Sequence, residues 1–174
     1  MAPYQNNSFN NRGTPQFSNK PAQSQSWNRP SGQVQLQGGN RPSRPEDTPR
    51  ILPTFDIKTL TKELFDTIAD KCAKTISESS DSVNKPTQLR RFYDELVMWN
   101  ERAAKSEQAF KDALPFVYMM KSKVAYAKGR KNVDSTFQEF INKTIDQIND
   151  QKTLNNAKLF MEAMMGFYKQ YKKD

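Results

Sequence analysis

The chain has 174 residues, a net charge of +8, one cysteine and no histidine. These counts exclude a Ser-His-Asp triad, a Cys-His dyad, a His-ligated metal site and an intrachain disulfide. The excess of positive charge favours an acidic partner, most often nucleic acid, and the alternative is a basic protein without one. No apolar run is long enough to cross a membrane, and the first ten residues lack the pattern of a signal peptide, so we expect a cytoplasmic protein.

Residues 1–50 differ in composition from the rest of the chain. They contain seven of the ten prolines and four of the six glycines, and Asn, Gln and Ser fill much of the remainder. Such a segment buries too little apolar surface to offset the entropy of ordering it. We therefore predict a disordered, low-complexity tail over residues 1–50 and one folded domain over residues 51–174. The mixture of basic and aromatic residues in the tail is compatible with loose RNA contact but more typical of a solvated linker.

The apolar residues of the folded part recur at helical spacing throughout. They predict a first helix over about residues 56–77, capped by Thr54 or Asp56. A second helix is predicted to reach Ala103 and to begin at one of three residues: Asn84, Pro86 or Thr87.

A third helix is predicted over about residues 107–128, where Pro115 indicates a kink or a break and Gly129 a suitable end. Ser135 and Gln138 have the spacing of a capping box ahead of a fourth helix. The last helix carries a stripe rich in methionine and aromatic residues: Phe160, Met161, Met164, Met165, Phe167, Tyr168 and Tyr171. The predicted fold class is all-α, a compact bundle of five helices, or six if Pro115 breaks the third, with a disordered N-terminal tail.

Residues suited to catalysis are scarce in this sequence. The carboxylates do not have the spacing of a di-metal bundle, and no Gly-rich phosphate loop is present. Cys72 falls on the apolar stripe of the first helix, where a small core residue is expected. The sequence therefore predicts no enzyme, no cofactor and no metal site.

Residues 121–131 contain five positive charges and no acid. At 100° per residue, one face of this helix places an aromatic ring between cations: Met119, Lys123, Tyr126 and Arg130. Lys121 and Lys128 lie beside the apolar side instead. Because cations contact phosphates and an exposed ring stacks on a base, we predict that this segment binds RNA. In the alternative interpretation, Met119 and Tyr126 are core residues and the lysine stems extend along apolar surface.

Arg90 and Arg91 form a second basic candidate. Each has an acid four residues further along, Asp94 and Glu95 respectively, and such helical pairs contribute no more than about 0.5 kcal/mol. Pairs this weak do not prevent a phosphate from binding the arginines. The residues predicted to bind RNA are therefore Arg90, Arg91, Lys121, Lys123, Tyr126, Lys128 and Arg130.

Blocks of sequence follow one another at a defined spacing: residues 89–95 (LRRFYDE), 113–115 (ALP), 121–130 (KSKVAYAKGR) and 158–168 (KLFMEAMMGFY). Their order and spacing resemble those of the small subunit of the type III-A CRISPR effector, the Csm complex. The resemblance covers about residues 86–171.

This resemblance implies a non-catalytic, all-helical subunit of an antiviral ribonucleoprotein. Several copies are expected to stack inside the effector and to line the channel where guide RNA pairs with a target transcript. The partners implied are guide RNA, target single-stranded RNA, the large and backbone subunits, and further copies of the chain. Transcript cleavage, DNase activity and cyclic oligoadenylate synthesis belong to other subunits of such complexes.

Contact between copies is expected through the surplus Met-rich face of the last helix, or through Met119 and Met120. The alternative function is that of a structural helical adaptor, which binds a protein and makes no direct contact with RNA.

Overall fold

The computed structural model describes residues 48–172, and this range contains five α-helices, one short π-helical segment and no β-strand. The π-helical segment Leu64–Ile68 leads into α1 (Ala69–Ser77), and the other helices are α2 (Pro86–Ala103), α3 (Glu107–Gly129), α4 (Ser135–Ile145) and α5 (Gln151–Tyr171). The predicted all-α class is confirmed. Within these residues, no helix combines the length and the apolar character that a membrane span requires. The predicted disordered tail lies outside the described residues, apart from its last three positions.

The first helix is shorter than its apolar spacing predicts, because residues 56–61 are not helical. The backbone N–H of Ile57 donates to Oε1 of Gln147 at 2.9 Å, and its carbonyl accepts from Nδ2 of Asn156 at 2.8 Å. These distant side chains satisfy the backbone groups that a helix would otherwise pair. The capping prediction is wrong for the same segment, since the Thr61 hydroxyl, 3.2 Å from the N–H of Leu64, accepts a hydrogen bond at the start of the helical segment.

Pro115 does not divide the third helix, because α3 is continuous from residue 107 to residue 129. The Ser106 hydroxyl caps its start by accepting from the N–H of Ala109 at 3.0 Å. Pro115 itself is exposed, whereas Ala113 and Val117 on either side of it are buried. Packing on both sides of the proline therefore holds the helix together despite the missing N–H donor.

Gly129 is the last residue of α3, but the reversal that follows depends on Lys131, which has a φ of 60°. The N–H of Lys131 donates to the carbonyl of Lys128 at 2.8 Å, and the N–H of Asn132 donates to the carbonyl of Ala127 at 2.9 Å. This pair of bonds is a Schellman motif, in which the left-handed position usually belongs to glycine.

Aspartates cap the last two helices. Asp134 accepts from the N–H of Phe137 at 2.9 Å, so the predicted cap at Ser135 is wrong by one residue. Asp150 accepts from the N–H of Thr153 at 2.7 Å, and the Thr153 hydroxyl accepts from the N–H of Asp150 at 3.0 Å. The capping box therefore belongs to α5 and not to α4.

Helix α5 is central, since it packs against both α1 and α2, while α3 packs against α2 and α4. Phe140 lies in an aromatic cluster, with ring centroids 5.8 Å from Phe55, 6.2 Å from Phe137 and 5.7 Å from Phe160. The largest fully buried side chains are Ile57, Leu64, Ile76, Leu89, Leu96, Met120, Phe137, Phe140, Ile141, Ile145, Phe160 and Tyr168.

The loop between α1 and α2 is held by residues from distant parts of the chain. The buried ammonium of Lys172 donates to the carbonyls of Ser80 and Val83 and to the hydroxyl of Ser79, each at 2.9 Å. Burial lowers the pKa of this amine. The hydroxyl of Tyr168 donates to the carbonyl of Asn84, which is fully buried and has a φ of 54°. The start of α2 is therefore fixed by the end of α5.

Arg50 lies in the segment predicted to be tail but contacts the folded domain. Its guanidinium pairs with Asp134 at 3.0 Å and donates to the carbonyl of Glu78 at 2.8 Å. Its backbone N–H donates to the Thr136 hydroxyl at 3.0 Å. These bonds join the chain entering the domain to the start of α4.

Candidate nucleic-acid interface

A shallow groove of about 210 Å³ lies between α2 and α3. It contains three of the predicted RNA-binding residues, Arg91 from α2 and Lys123 and Tyr126 from α3. The turn at residues 104–106 reverses the chain, so the first half of α2 lies beside the second half of α3. The other residues lining the groove are Gln88, Phe92, Glu95, Ala127 and Asn132.

Glu95 is the acid at the centre of this groove. Its Oε1 lies 2.5 Å from the ammonium of Lys123 and also accepts from the indole N–H of Trp99 at 3.3 Å. Glu95 therefore pairs with a lysine of the neighbouring helix and not with Arg91, its predicted partner four residues away. Arg91 itself is exposed at the groove.

Tyr126 stands at the solvent-facing side of the groove, with 66% of its surface exposed. The guanidinium of Arg130 donates to the Tyr126 hydroxyl at 3.1 Å, and its Cζ lies 5.7 Å from the ring centroid. Met119 is also open to solvent, at 43% exposure. The interpretation that Met119 and Tyr126 are core residues is therefore wrong, and this face of α3 is exposed.

A second aromatic group, not recognised from the sequence, lies further along the same two helices. The ring of Phe116 stacks on Trp99 with centroids 4.8 Å apart and planes 10° from parallel. The guanidinium carbon of Arg102 lies 5.0 Å from the Trp99 ring centroid. Positions 91, 95, 99 and 102 follow helical spacing, and this spacing is the sequence signal that places Trp99 beside the predicted site.

These residues lie along the same side of the two helices, which we call the α2–α3 face; Glu95 and Trp99 are half-buried and the other members are exposed. Its members are Arg91, Glu95, Trp99 and Arg102 from α2, and Phe116, Met119, Lys123, Tyr126 and Arg130 from α3.

Arg90 faces a different groove, of about 550 Å³, between α2 and α5. Its Nε lies 2.7 Å from Oδ1 of Asp94, which is the predicted helical pair, and its guanidinium carbon lies 5.0 Å from the ring centroid of Tyr93. Because adjacent helical residues point about 100° apart, Arg90 and Arg91 do not act on one surface.

Lys121 is on the α4 side of α3. Its ammonium forms an ion pair with Asp146, just after α4, and lies 5.4 Å from the Tyr118 ring centroid. Lys128 is seven residues further along α3 and therefore shares this side. The seven predicted residues thus fall on three surfaces, and only Arg91, Lys123, Tyr126 and Arg130 share the α2–α3 face.

The sequence model of the Csm2 type III-A family matches residues 59–174, about two thirds of the chain. The chain belongs to the Csm2 family. The resemblance to the type III-A small subunit is therefore confirmed, and the match begins before α1, well upstream of the blocks that suggested it. The curated proteins and the solved structures gave no significant match.

The Csm2 match includes the Met-rich helix α5, whose methionines were expected to face a neighbouring copy. Met161 and Met164 are fully buried in the core, and so is Met120 of α3. Contact between copies through Met161 or Met164 is therefore wrong, whereas Met165 and Phe167 of the same stripe are half-buried and Tyr171 is exposed. Of the methionines considered for contact between copies, Met119 is the one with a large exposed surface.

Cys72, the single thiol of this Csm2-family chain, is buried in α1. Burial raises its pKa to about 12, and the nearby Lys143 opposes that shift only in part. The thiol is therefore protonated at neutral pH, as expected of a core residue. Among residues 48–172, no three carboxylates or thiols come close enough together to hold a metal ion.

Proposed function

We propose that this Csm2-family subunit is a non-catalytic RNA-binding component of a cytoplasmic type III-A ribonucleoprotein that acts in antiviral defence. It lines the channel in which guide RNA pairs with target single-stranded RNA. Its protein partners are the large and backbone subunits of the Csm complex and further copies of itself.

The observation that carries this proposal is the row of cations on the α2–α3 face. Arg91, Lys123 and Arg130 are exposed there, and the open ring of Tyr126 lies between the two α3 cations in sequence and contacts Arg130. Such a row matches the repeating negative charge of an RNA backbone, and an exposed ring supports a base. Because phosphate contacts carry no sequence information, the face suits a subunit that must accept any guide or target.

Arg90, Lys121 and Lys128 remain predicted RNA contacts on two other surfaces. Arg90 and Lys121 each have a carboxylate partner, Asp94 and Asp146, as Lys123 has Glu95, but neither of their surfaces gathers several predicted residues as the α2–α3 face does. Each surface therefore needs its own variant, and the α2–α3 face is the first to test.

The test measures RNA binding as a function of salt. For a single strand, the logarithm of affinity falls with the logarithm of salt at a slope of about 0.7 per phosphate contacted. Three contacts therefore predict roughly a twentyfold loss between 50 and 200 mM salt. Lys123→Glu combined with Arg130→Glu should weaken binding by the assembled complex and flatten this slope.

A matched control carries the same change of charge elsewhere. Lys62 and Lys71 are exposed near the start of the first helical segment and on α1, and Lys62→Glu with Lys71→Glu should leave affinity and slope close to wild type. Equal losses in the two double variants would show that only net charge matters and would contradict the assignment of the α2–α3 face.

A tagged pull-down from the native cell at moderate salt tests the assembly. Recovery of the larger Csm subunits together with a repeat-derived guide RNA is the expected result. Recovery of a single protein partner without RNA would contradict the proposal and favour the structural adaptor.

A further inference from the structure

The α2–α3 face carries two separate exposed aromatic groups. Tyr126 is at one end with Arg130, and Phe116, 45% exposed and stacked on Trp99, is at the other. Ten residues of helix separate Phe116 from Tyr126, which is about 15 Å along the axis.

We propose that the Trp99–Phe116 pair is a second base-stacking platform, and that the α2–α3 face takes single-stranded RNA with one base on each aromatic group. The proposal rests on the proposed function, because it names the form of RNA bound by the same face and two further residues that contact it.

The charges around the platform favour RNA over a protein. Arg91, Arg102, Lys123 and Arg130 lie along the face with two acids, Glu95, which pairs with Lys123, and the exposed Asp112, one turn before Phe116. The buried centre of a protein interface is enriched in aromatic residues, Met and Arg but depleted of Lys, so Lys123 is the residue of this face that argues for RNA. Aromatic rings interleaved with cations are instead the arrangement by which proteins hold single strands.

The platform is also joined to the groove by shared hydrogen bonding. Oε1 of Glu95 accepts from the Trp99 indole and pairs with the Lys123 ammonium, so both side chains are oriented by one carboxylate. A phosphate at Lys123 would therefore lie between the two rings. In a duplex each base is stacked between its neighbours, so both platforms take unpaired bases, as in the target strand before it pairs with the guide.

Trp99 provides a direct optical readout of stacking. Two tryptophans occur in the sequence, Trp27 and Trp99, so the full chain with Trp27→Phe reports on Trp99 alone. Titration with a ten-nucleotide adenine strand at 50 mM salt should quench its fluorescence in parallel with binding. A duplex of the same length should bind through charge without comparable quenching.

Variants at Phe116 separate stacking from charge. Phe116→Ala should weaken binding of the adenine strand at least about fivefold, Phe116→Leu should do the same while keeping apolar volume, and Phe116→Tyr should retain affinity. Tyr171→Ala is the matched control, because Tyr171 is an exposed aromatic residue of α5, outside the α2–α3 face and outside the predicted RNA contacts.

Failure of this inference differs from failure of the proposed function. Normal binding by Phe116→Ala with unchanged Trp99 fluorescence, while Lys123→Glu with Arg130→Glu abolishes binding, would overturn the platform and leave the charged face. Absence of RNA binding by the wild-type chain at 50 mM salt would overturn both. Self-association in sedimentation velocity that Phe116→Ala abolishes would assign the surface to a second copy and overturn the platform.

Discussion

Glu95 should limit the affinity of the α2–α3 face for RNA. Its carboxylate already pairs with Lys123 at 2.5 Å, and its side chain is only one-fifth exposed. A phosphate that binds Lys123 must share the ammonium with this acid. Glu95→Gln removes the competing charge while keeping an oxygen that accepts from the Trp99 indole. We therefore expect the variant to bind RNA more tightly than wild type.

The size of this gain follows from the geometry. A phosphate oxygen about 2.8 Å from the Lys123 ammonium would lie at most about 5 Å from the Glu95 carboxylate, whose Oε1 is 2.5 Å from the same ammonium. Two unit charges at that separation repel by roughly 1 kcal/mol in bulk water and roughly 3 kcal/mol at the effective dielectric of a protein surface. Removal of the carboxylate should therefore tighten RNA binding by about fivefold to a hundredfold.

Fluorescence anisotropy with a labelled single strand at 100 mM salt provides the measurement. Glu139→Gln is the matched control. This substitution also removes one negative charge from an ion pair with a lysine, Lys143, but it lies on α4 and away from the α2–α3 face. Equal affinities for Glu95→Gln and Glu139→Gln would refute the competition. A lower affinity for Glu95→Gln would show that the carboxylate positions Lys123 for RNA.

Three further predictions concern the fold. Lys131→Gly should raise the free energy of unfolding by up to about 1 kcal/mol in thermal denaturation, because the residue has a φ of 60° and is exposed; unchanged or lower stability would count against strain at that position. Met164→Lys should lower it by more than about 3 kcal/mol in urea, since it buries an unpaired charge, whereas Met119→Lys should fold normally. Hydrogen bonds from Thr153 hold the pKa of Asp150 below its usual value. We expect Asp150→Ala to lower the free energy of unfolding by about 1 kcal/mol. This contribution should be complete above about pH 4 and should be lost as the pH falls through the pKa of Asp150 in the folded protein. Asp150→Asn should remove this dependence on pH.

Helical periodicity predicted most of the bundle because each helix buries one continuous apolar stripe. It failed over residues 56–61, where the decisive bonds to Ile57 come from Gln147 and Asn156, about ninety or more positions away in the chain. It also left Pro115 open, because only the packing of its buried neighbours decides whether α3 continues. Sequence patterns report local preferences, and both outcomes depended on distant contacts.

Only part of the candidate site could be predicted, because sequence patterns report positions on one helix and not contacts between helices. Spacing correctly placed Lys123, Tyr126 and Arg130 on one side of α3. Spacing alone did not show which helix lies beside each basic residue, so Arg90 and Arg91 were grouped although they face different grooves. Pairing between neighbouring helices, such as Lys123 with Glu95, is visible only once the packing of α2 against α3 is known.

The α1–α2 loop also links the start of the α2–α3 face to residues that are synthesised last. The bonds that fix the start of α2 come from Asp134, Tyr168 and Lys172. These residues follow their loop partners by 50, 84 and 93 positions in the chain. A ribosome-bound chain that has emerged only through α3 therefore contains every residue of the α2–α3 face but not the contacts that orient α2. We therefore expect the α2–α3 face to reach its final geometry only after residue 172 has been made and has folded back onto the loop.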